Sequence, residues 1–490
     1  MNKRICASIL ALLQGALLLA SCGTDTTAAA EPEQTTAPTA ATEAVETEPA
    51  RPAVNLPDDL DFGGRTFRQL AFDWQGYKYY FFADAENGDI MNDAIHERTV
   101  TTEDTLNVDI VYEILTNNVL DVPNAVKKAV QAGDDAYDQV LFHCIGGIAS
   151  MASGGYLYNL DEMPYIDIGA SWWNQAQMDA IRLGQNTYYA VNDFMLPCPY
   201  IIYFNKGMIE TFDMENPYQL VYDGKWTLDA FTQMAKSVVA DLNGDGKMDW
   251  QNDRYGVAMP EVSKLVSFMT GSGQFMTSRN SDGTIYLDFN TPKTQAIIEQ
   301  FADLAKSDVI SIWTNEQTIE LTMDSDRLLF HLDTLSDAER MRSYEVEFGF
   351  LPYPKYDEAQ ESYLSLDWGG LMGVPTTITD PECVGAVLEL LAYESSNTVI
   401  PAYYDTVLTG KLTRDEDAKK MLDIIFDTIC YEVGGNYFGF DNGFRELFYV
   451  LSELSVKKQS DAFASYYEKS SKQAVKLIDK FYSSLSNTES

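Results

Sequence analysis

The sequence predicts an α/β protein of two lobes joined by hinge crossings, and three observations carry that prediction. Residues 188–212 read as a short strand through Tyr188, Tyr189, Ala190 and Val191, an extended crossing, and a second strand from Tyr200 to Phe204 that turns through Asn205, Lys206 and Gly207 into a helix. Pro197 and Pro199 disfavour helix between these runs, whose aromatic and β-branched residues suit a pleated sheet. Strand and helix patterns alternate from Thr66 to Phe142, which implies parallel pairing. Glycines between Asp367 and Gly373 permit a second crossing. A chain that leaves one sheet through a stiff extended segment and enters another has two lobes, and the groove between them is the default ligand site.

At the start of the chain, Lys3 and Arg4 precede an apolar run interrupted by Ser8, Gln14 and Gly15, so residues 1–21 read as an export signal. The run is too short and too broken for a comfortable membrane span. It ends in Leu19, Ala20, Ser21, Cys22 and Gly23, which resembles the lipobox of bacterial lipoproteins. That resemblance implies cleavage before Cys22 and a lipid on its thiol. Residues 22–55 are Thr, Ala, Glu and Pro with almost no large apolar side chain, a composition that cannot order itself and reads as a tether. Some 30 residues of such chain span on the order of 30 Å.

The remainder carries enough apolar residues for sizeable cores, at 46% hydrophobic and 12% aromatic overall. A formal charge of −40, from 74 acidic against 34 basic residues, argues against nucleic acid or anionic lipid as a partner and suits solubility outside the cell. Beyond Cys6 and Cys22, the cysteines at 144, 198, 383 and 430 follow no metal or disulfide spacing and are expected to be buried free thiols.

In order, the first lobe opens with a strand over 66–72, a helix over 91–106 and a strand over 108–114. A helix over 117–132, stopped by Gly133, Asp134 and Asp135, leads to a buried strand over 138–142. Ligand groups are expected beyond the carboxyl ends of such strands, which nominates Asp73 and Trp74 and the loop from Cys144 to Ile148. Helices are also expected over 175–181 and 227–239. Trp172, Trp173, Trp226 and Trp313 read as core or rim residues, since Trp is usually mostly buried.

Several motifs in fixed order then carry a family resemblance. The runs 137–142, 154–160, 203–206 and 226–229, followed by 348–354, 369–375 and 398–404, resemble the extracellular solute-binding proteins of ABC importers, and the match spans most of the chain after Asn55. The resemblance implies a two-lobed, periplasmic-binding-protein-like (type II) fold that closes on a solute and delivers it to permease subunits, with sugars a common cargo. On this reading residues 56–193 form an N-terminal lobe completed near 365–400, residues 194–364 form the C-terminal lobe, and 365–490 hold the return crossing and helices shared by both. The protein is expected to be a monomer, lipid-anchored and extracytoplasmic. The loop after the third strand, with Cys144, Ile145, Gly146 and Gly147, is poorer in polar groups than in maltose-type binders.

Carrying the family's pocket loops onto this chain nominates Asp73, Asp193, Glu261, Asp333, Asp367 and Asp441 as polar ligand residues. Trp74, Trp368, Tyr437 and Phe440 are the aromatic ones. Aromatic faces stack on the apolar faces of pyranose rings, while carboxylates accept hydroxyl hydrogen bonds. Separately, Asp241, Asn243, Asp245, Lys247 (through its carbonyl) and Asp249 sit at calcium-loop spacing with Gly246 at the sharp turn, which predicts a structural calcium. Asn252 stands where the bidentate acid belongs, with Asp253 one place later.

An enzyme is not expected. The three histidines fall in no metalloprotease or nucleophile-elbow pattern, and His143 and Cys144, adjacent on a strand, point apart. Two readings stay beside the importer subunit: a two-carboxylate glycosidase, and a glycan-binding surface lipoprotein without a transporter.

Overall fold

The computed structural model describes residues 53–73, 77–115, 118–367, 369–408, 415–439, 441–456 and 462–488. The signal, most of the tether and Cys22 lie outside them, and no helix among the described residues is long and apolar enough to cross a membrane. The described strands are β1 (Arg65–Phe72), β2 (Val108–Leu115), β3 (Gln139–His143), β4 (Tyr200–Asn205), β5 (Tyr255–Met259), β6 (Thr277–Arg279) and β7 (Ile285–Leu287). Then come β8 (Ile310–Ile312), β9 (Leu328–Thr334), β10 (Phe348–Leu351), β11 (Ser365–Leu366), β12 (Gly370–Gly373) and β13 (Ile429–Cys430).

Two sheets organise the chain. The first has the order β12-β3-β1-β2, with β1 parallel to both β2 and β3, and with β12 returning antiparallel to β3. The second has the order β10-β4-β9-β5-β8, in which β5 pairs parallel with β8 and β9 while β4 runs antiparallel to β9 and β10. Every residue of β3, β4, β5 and β9 is buried, which is why these stretches read as near-continuous apolar runs rather than as an alternation.

Local chemistry sets the helix boundaries. Helix Ile90–Leu106 starts where the Asp89 carboxylate accepts the N–H of Asn92 at 2.9 Å, and it stops at Asn107 in the left-handed region. The expected helix over 117–132 begins at Asp121, since Asn118 spends its side chain on the N–H of Leu120 in a preceding turn. The strand expected at 188–191 is absent as such. Only Ala190 pairs, across to Met372, because the run lies beyond the edge strand β12 and meets it at a single point.

Buried tryptophans brace the lobes. Trp172 and Trp173 both donate indole N–H groups to the buried Glu389, at 2.9 and 2.7 Å, and Trp226 donates to the carbonyl of Pro352 at 2.9 Å. Trp313 packs edge-on against Tyr255. Cys144, Cys198 and Cys383 are buried free thiols, while the free Cys430 is only half-buried.

Three chain passages run between the sheets and are stitched together. Pro199 bridges Asp367, and β11 pairs parallel with β13. Asp367, 2% exposed, is the knot: its carboxylate accepts the N–H of Cys198 at 2.7 Å and the hydroxyl of Tyr431 at 3.0 Å, while its own N–H donates to the carbonyl of Cys430 at 3.0 Å. Asp367→Ala strands buried donors on two neighbouring passages and should lower unfolding stability by about 3 kcal/mol in urea titration; parent-like stability would show that the passages hold without it.

Candidate functional site

A cavity of about 560 Å³ opens between the two sheets, within the ~300–1,000 Å³ common for small-molecule sites. Its two walls differ in chemistry. The wall on the first sheet is aromatic: Phe72 at the end of β1, His143 at the end of β3, and Tyr77, Tyr79 and Tyr80 on the tight turn Tyr77–Tyr80. The Asp73 carboxylate receives the N–H of Lys78 at 3.2 Å and so shapes this turn. Tyr77 stacks on Phe72 at 5.1 Å with 11° between the rings. The Tyr77 hydroxyl donates to the carbonyl of Leu196 at 2.9 Å and accepts the N–H of Gly370 at 3.1 Å, which ties the cavity floor to two of the passages. Burial lowers the His143 imidazole to about 4, so it is neutral near pH 7.

The opposite wall is charged. Lys264, buried, lies 2.8 Å from Asp333 and over the face of Tyr200 at 5.0 Å. Arg340 grips both carboxylate oxygens of Asp337, at 2.7 and 2.6 Å. His331, fully buried in β9 and stacked on Tyr203, sets its Nε2 3.2 Å from Asp337 and 3.7 Å from Asp333. Burial by itself disfavours the Lys264 ammonium, but Asp333 outweighs it and holds the group above its ordinary range. Burial likewise favours protonated Asp337, yet His331 and Arg340 outweigh it and hold the carboxyl below the usual range. His331, Asp333 and Asp337 gather ligand atoms within 4.8 Å of one another, as a metal centre does. Lys264 and Arg340 already supply positive charge there, so the group is complete as an ion-pair network.

Of the residues nominated from the sequence, Glu261 and Asp333 line the cavity. Asp73 lies behind the aromatic turn, and Asp367 is committed to the passages. The Tyr437 ring does not face the cavity: it packs against Tyr189 and Phe481 with its hydroxyl on the carbonyl of Ile181, because the helix Val433–Phe438 is buried on nearly all sides. Asp441 is exposed after that helix and away from the lining. Asp193 sits at the start of the first passage, its N–H on the carbonyl of Trp172, and is not part of the lining. Trp74, Trp368 and Phe440 lie outside the described residues. Tyr77, Tyr79, Tyr80, Lys264, Asp337 and Arg340 were not nominated. The aromatic cluster at 77–82, directly after the nominated Asp73 and Trp74, was the available signal.

The 241–253 loop is folded on itself. Asp241 receives the N–H groups of Gly244 and Gly246 at 2.6 and 2.8 Å, Asn243 that of Asp245, and Asp245 that of Lys247. Buried Asp253 closes the loop through the N–H groups of Leu242 and Asp249, and the Asn252 amide holds the Asp249 carboxylate. All five predicted side-chain ligands thus serve the loop's own backbone or side chains.

Two mixed sheets joined by stitched passages over a cleft define the two-lobed, periplasmic-binding-protein-like fold. No protein-family model and no curated protein sequence matches the chain. Solved structures do. The galacto-N-biose/lacto-N-biose I-binding protein of an ABC transporter from Bifidobacterium longum, in complex with lacto-N-biose, superposes with a TM-score of 0.59 at 12% identity over 86% of this chain and 98% of that one. An ABC transporter solute-binding protein from Thermotoga lettingae, bound with α-D-tagatose, gives 0.54 at 14% identity over 84% and 100%. The maltose/maltodextrin-binding domain from Bdellovibrio bacteriovorus, bound to maltotriose, gives 0.53 at 15% identity over 84% and 99%. The chain therefore has the fold of ABC-transporter solute-binding proteins.

Burial pushes the Asp193 carboxyl from its ordinary 3.8 up to about 8. The folded state then keeps a proton that the unfolded chain releases, so Asp193 contributes stability that is full below about pH 4 and declines as pH rises toward about 8. Asp193→Asn removes that decline. The variant should melt with the parent at about pH 4 and a few degrees above it at about pH 8; a constant offset at both would contradict the assignment.

Proposed function

We propose that the chain is the solute-capturing subunit of an ABC importer, anchored outside the cytoplasm through Cys22, and that it takes a carbohydrate into the cleft. The observation that carries this reading is the division of the cleft into an aromatic wall on one sheet and a hydrogen-bonding, charged wall on the other. A pyranose ring has the same division, with C–H faces that stack on Tyr and Phe and an edge of hydroxyls that carboxylates and Lys or Arg hydrogen-bond. Neither face is satisfied by one lobe alone, so the ligand prefers the closed form and shifts the population toward it. The superposed proteins bound with lacto-N-biose, tagatose and maltotriose are in keeping with a saccharide here.

The reading is capture and release without turnover. Linkage stabilises the fold by about 2.7 kcal/mol when free ligand is a hundredfold above its dissociation constant. A saccharide that binds should therefore raise the melting temperature by a few degrees, reduce the radius of gyration in solution scattering, and be recovered chemically unchanged. Recovery of cleaved product would support a glycosidase instead, and tight binding without compaction a rigid glycan-binding module.

We also propose calcium as a structural ion of the 241–253 loop, held by Asp241, Asn243, Asp245 and the Lys247 carbonyl. Asp249 and Asp253, the other two predicted ligands, are engaged inside the loop, and the first three also accept its N–H groups, so calcium must compete with these hydrogen bonds and the site is weak. Parent protein should melt higher in calcium than in chelator and Asp245→Ala should not; identical parent melting in both conditions ends the proposal.

A further inference from the structure

The charged wall of the cleft is unbalanced. Among the residues lining the cavity, Glu261, Glu316, Asp333, Asp337 and Glu339 are acidic and only Lys264 and Arg340 are basic. Both cations are engaged at the base of the wall, Lys264 with Asp333 and Arg340 with Asp337. Five against two leaves a surplus of three negative charges in which each cation is shared by two carboxylates, Glu261 lying 3.6 Å from Lys264 and Glu316 3.6 Å from Arg340, while Glu339 stands outside these ion pairs. The side chains of Glu261 and Glu316 are about half or more exposed to the cavity mouth, and Glu339 is exposed as well. The buried His143 across the cleft adds no charge near neutral pH.

The aromatic wall faces this surplus. Burial is the main cause that raises the Tyr79 and Tyr80 hydroxyls, and the negative charge of Glu339 contributes to both, although it belongs to the other wall. Glu339, Tyr79 and Tyr80 line one and the same cavity. Aromatic faces on one side and carboxylates on the other are what a desolvating ammonium requires. The protein already holds one in this way: the Lys264 ammonium lies over the Tyr200 ring, 2.8 Å from Asp333 and 3.6 Å from Glu261.

Resting on the carbohydrate reading above, we propose that the cleft selects a saccharide bearing a protonated amine, with the ammonium between the rings of Tyr79 and Tyr80, set at 77° to one another, and the Glu316 and Glu339 carboxylates. Acidic saccharides are excluded by the same surplus. A neutral saccharide satisfies the stacking face but leaves the net negative charge of the lining unbalanced.

Isothermal titration of the full chain with three matched oligosaccharides tests this: a β-1,4-linked glucosamine trimer in mildly acidic buffer, its N-acetylated form, and a galacturonic acid trimer. The aminated trimer should bind about tenfold tighter than the acetylated one at low ionic strength, lose most of that advantage at high salt, and the acidic trimer should not bind. In the double variant Glu316→Gln/Glu339→Gln, which gives up the 3.6 Å contact of Glu316 with Arg340 but keeps the Lys264–Asp333 and Arg340–Asp337 pairs, the ratio of the first two affinities should fall to about twofold or less. Equal or tighter binding of the acetylated trimer overturns the amine preference and leaves the carbohydrate reading standing. Binding of a linear polyamine with no saccharide bound overturns the carbohydrate reading instead, and an unchanged ratio in the double variant overturns the placement of the ammonium.

Discussion

A single buried carboxylate, that of Asp367, ties together the chain passages that run between the two sheets. A carboxylate taken out of water is tolerated only where donors replace its hydration, and here the donors come from two other passages, through the Cys198 N–H and the Tyr431 hydroxyl. The three passages therefore behave as a small sheet of their own, with Pro199, β11 and β13 side by side. The cleft opens between the two sheets that these passages join. Tyr77 extends the connection into the binding surface, since one hydroxyl joins the aromatic wall to Leu196 and Gly370.

The division of labour between the walls follows from the elements that build them. The aromatic wall comes from strand ends and one tight turn of a parallel sheet, where ligand groups are expected beyond the carboxyl ends. The charged wall grows from β9 and the short helices on either side of it, where buried His331 and Lys264 fix the two aspartates by direct hydrogen bonds and ion pairs. Those aspartates are held by several partners at once, whereas Glu261 and Glu316 meet the same cations at the longer distance of 3.6 Å.

Much of the architecture was legible in the sequence, and the reasons are local. Pro197 and Pro199 announced an extended passage, Asp89 capped a helix where its pattern began, and the buried β3 and β4 read as strands from β-branched and aromatic runs. Glu261 and Asp333 were nominated and line the cavity. The direction in which a side chain points was not legible. Asp367 and Tyr437 are residue types suited to a sugar site, but one ties passages together and the other packs between helices, and only tertiary contacts distinguish those uses. Lys264, Asp337 and Arg340 were missed because nothing in a single sequence shows that segments some seventy residues apart meet in one wall, as Lys264 and Asp333 do. The strand expected at 188–191 reflects the same limit, since pairing depends on a partner edge that composition does not reveal.

The compactness of the aromatic wall has an evolutionary consequence. Tyr79 and Tyr80 belong to one four-residue turn held by Asp73, and neither is fully buried, so exchanging them reaches beyond the cavity surface chiefly through the hydrogen bond of Tyr79 to Asp89 and the edge contact of Tyr80 with Tyr403. Drift in two codons of this turn can change the shape presented to a ligand while the passages, the sheets and the ion-pair wall stay as they are. The shape of the cavity can thus diverge among descendants of this chain faster than the scaffold around it.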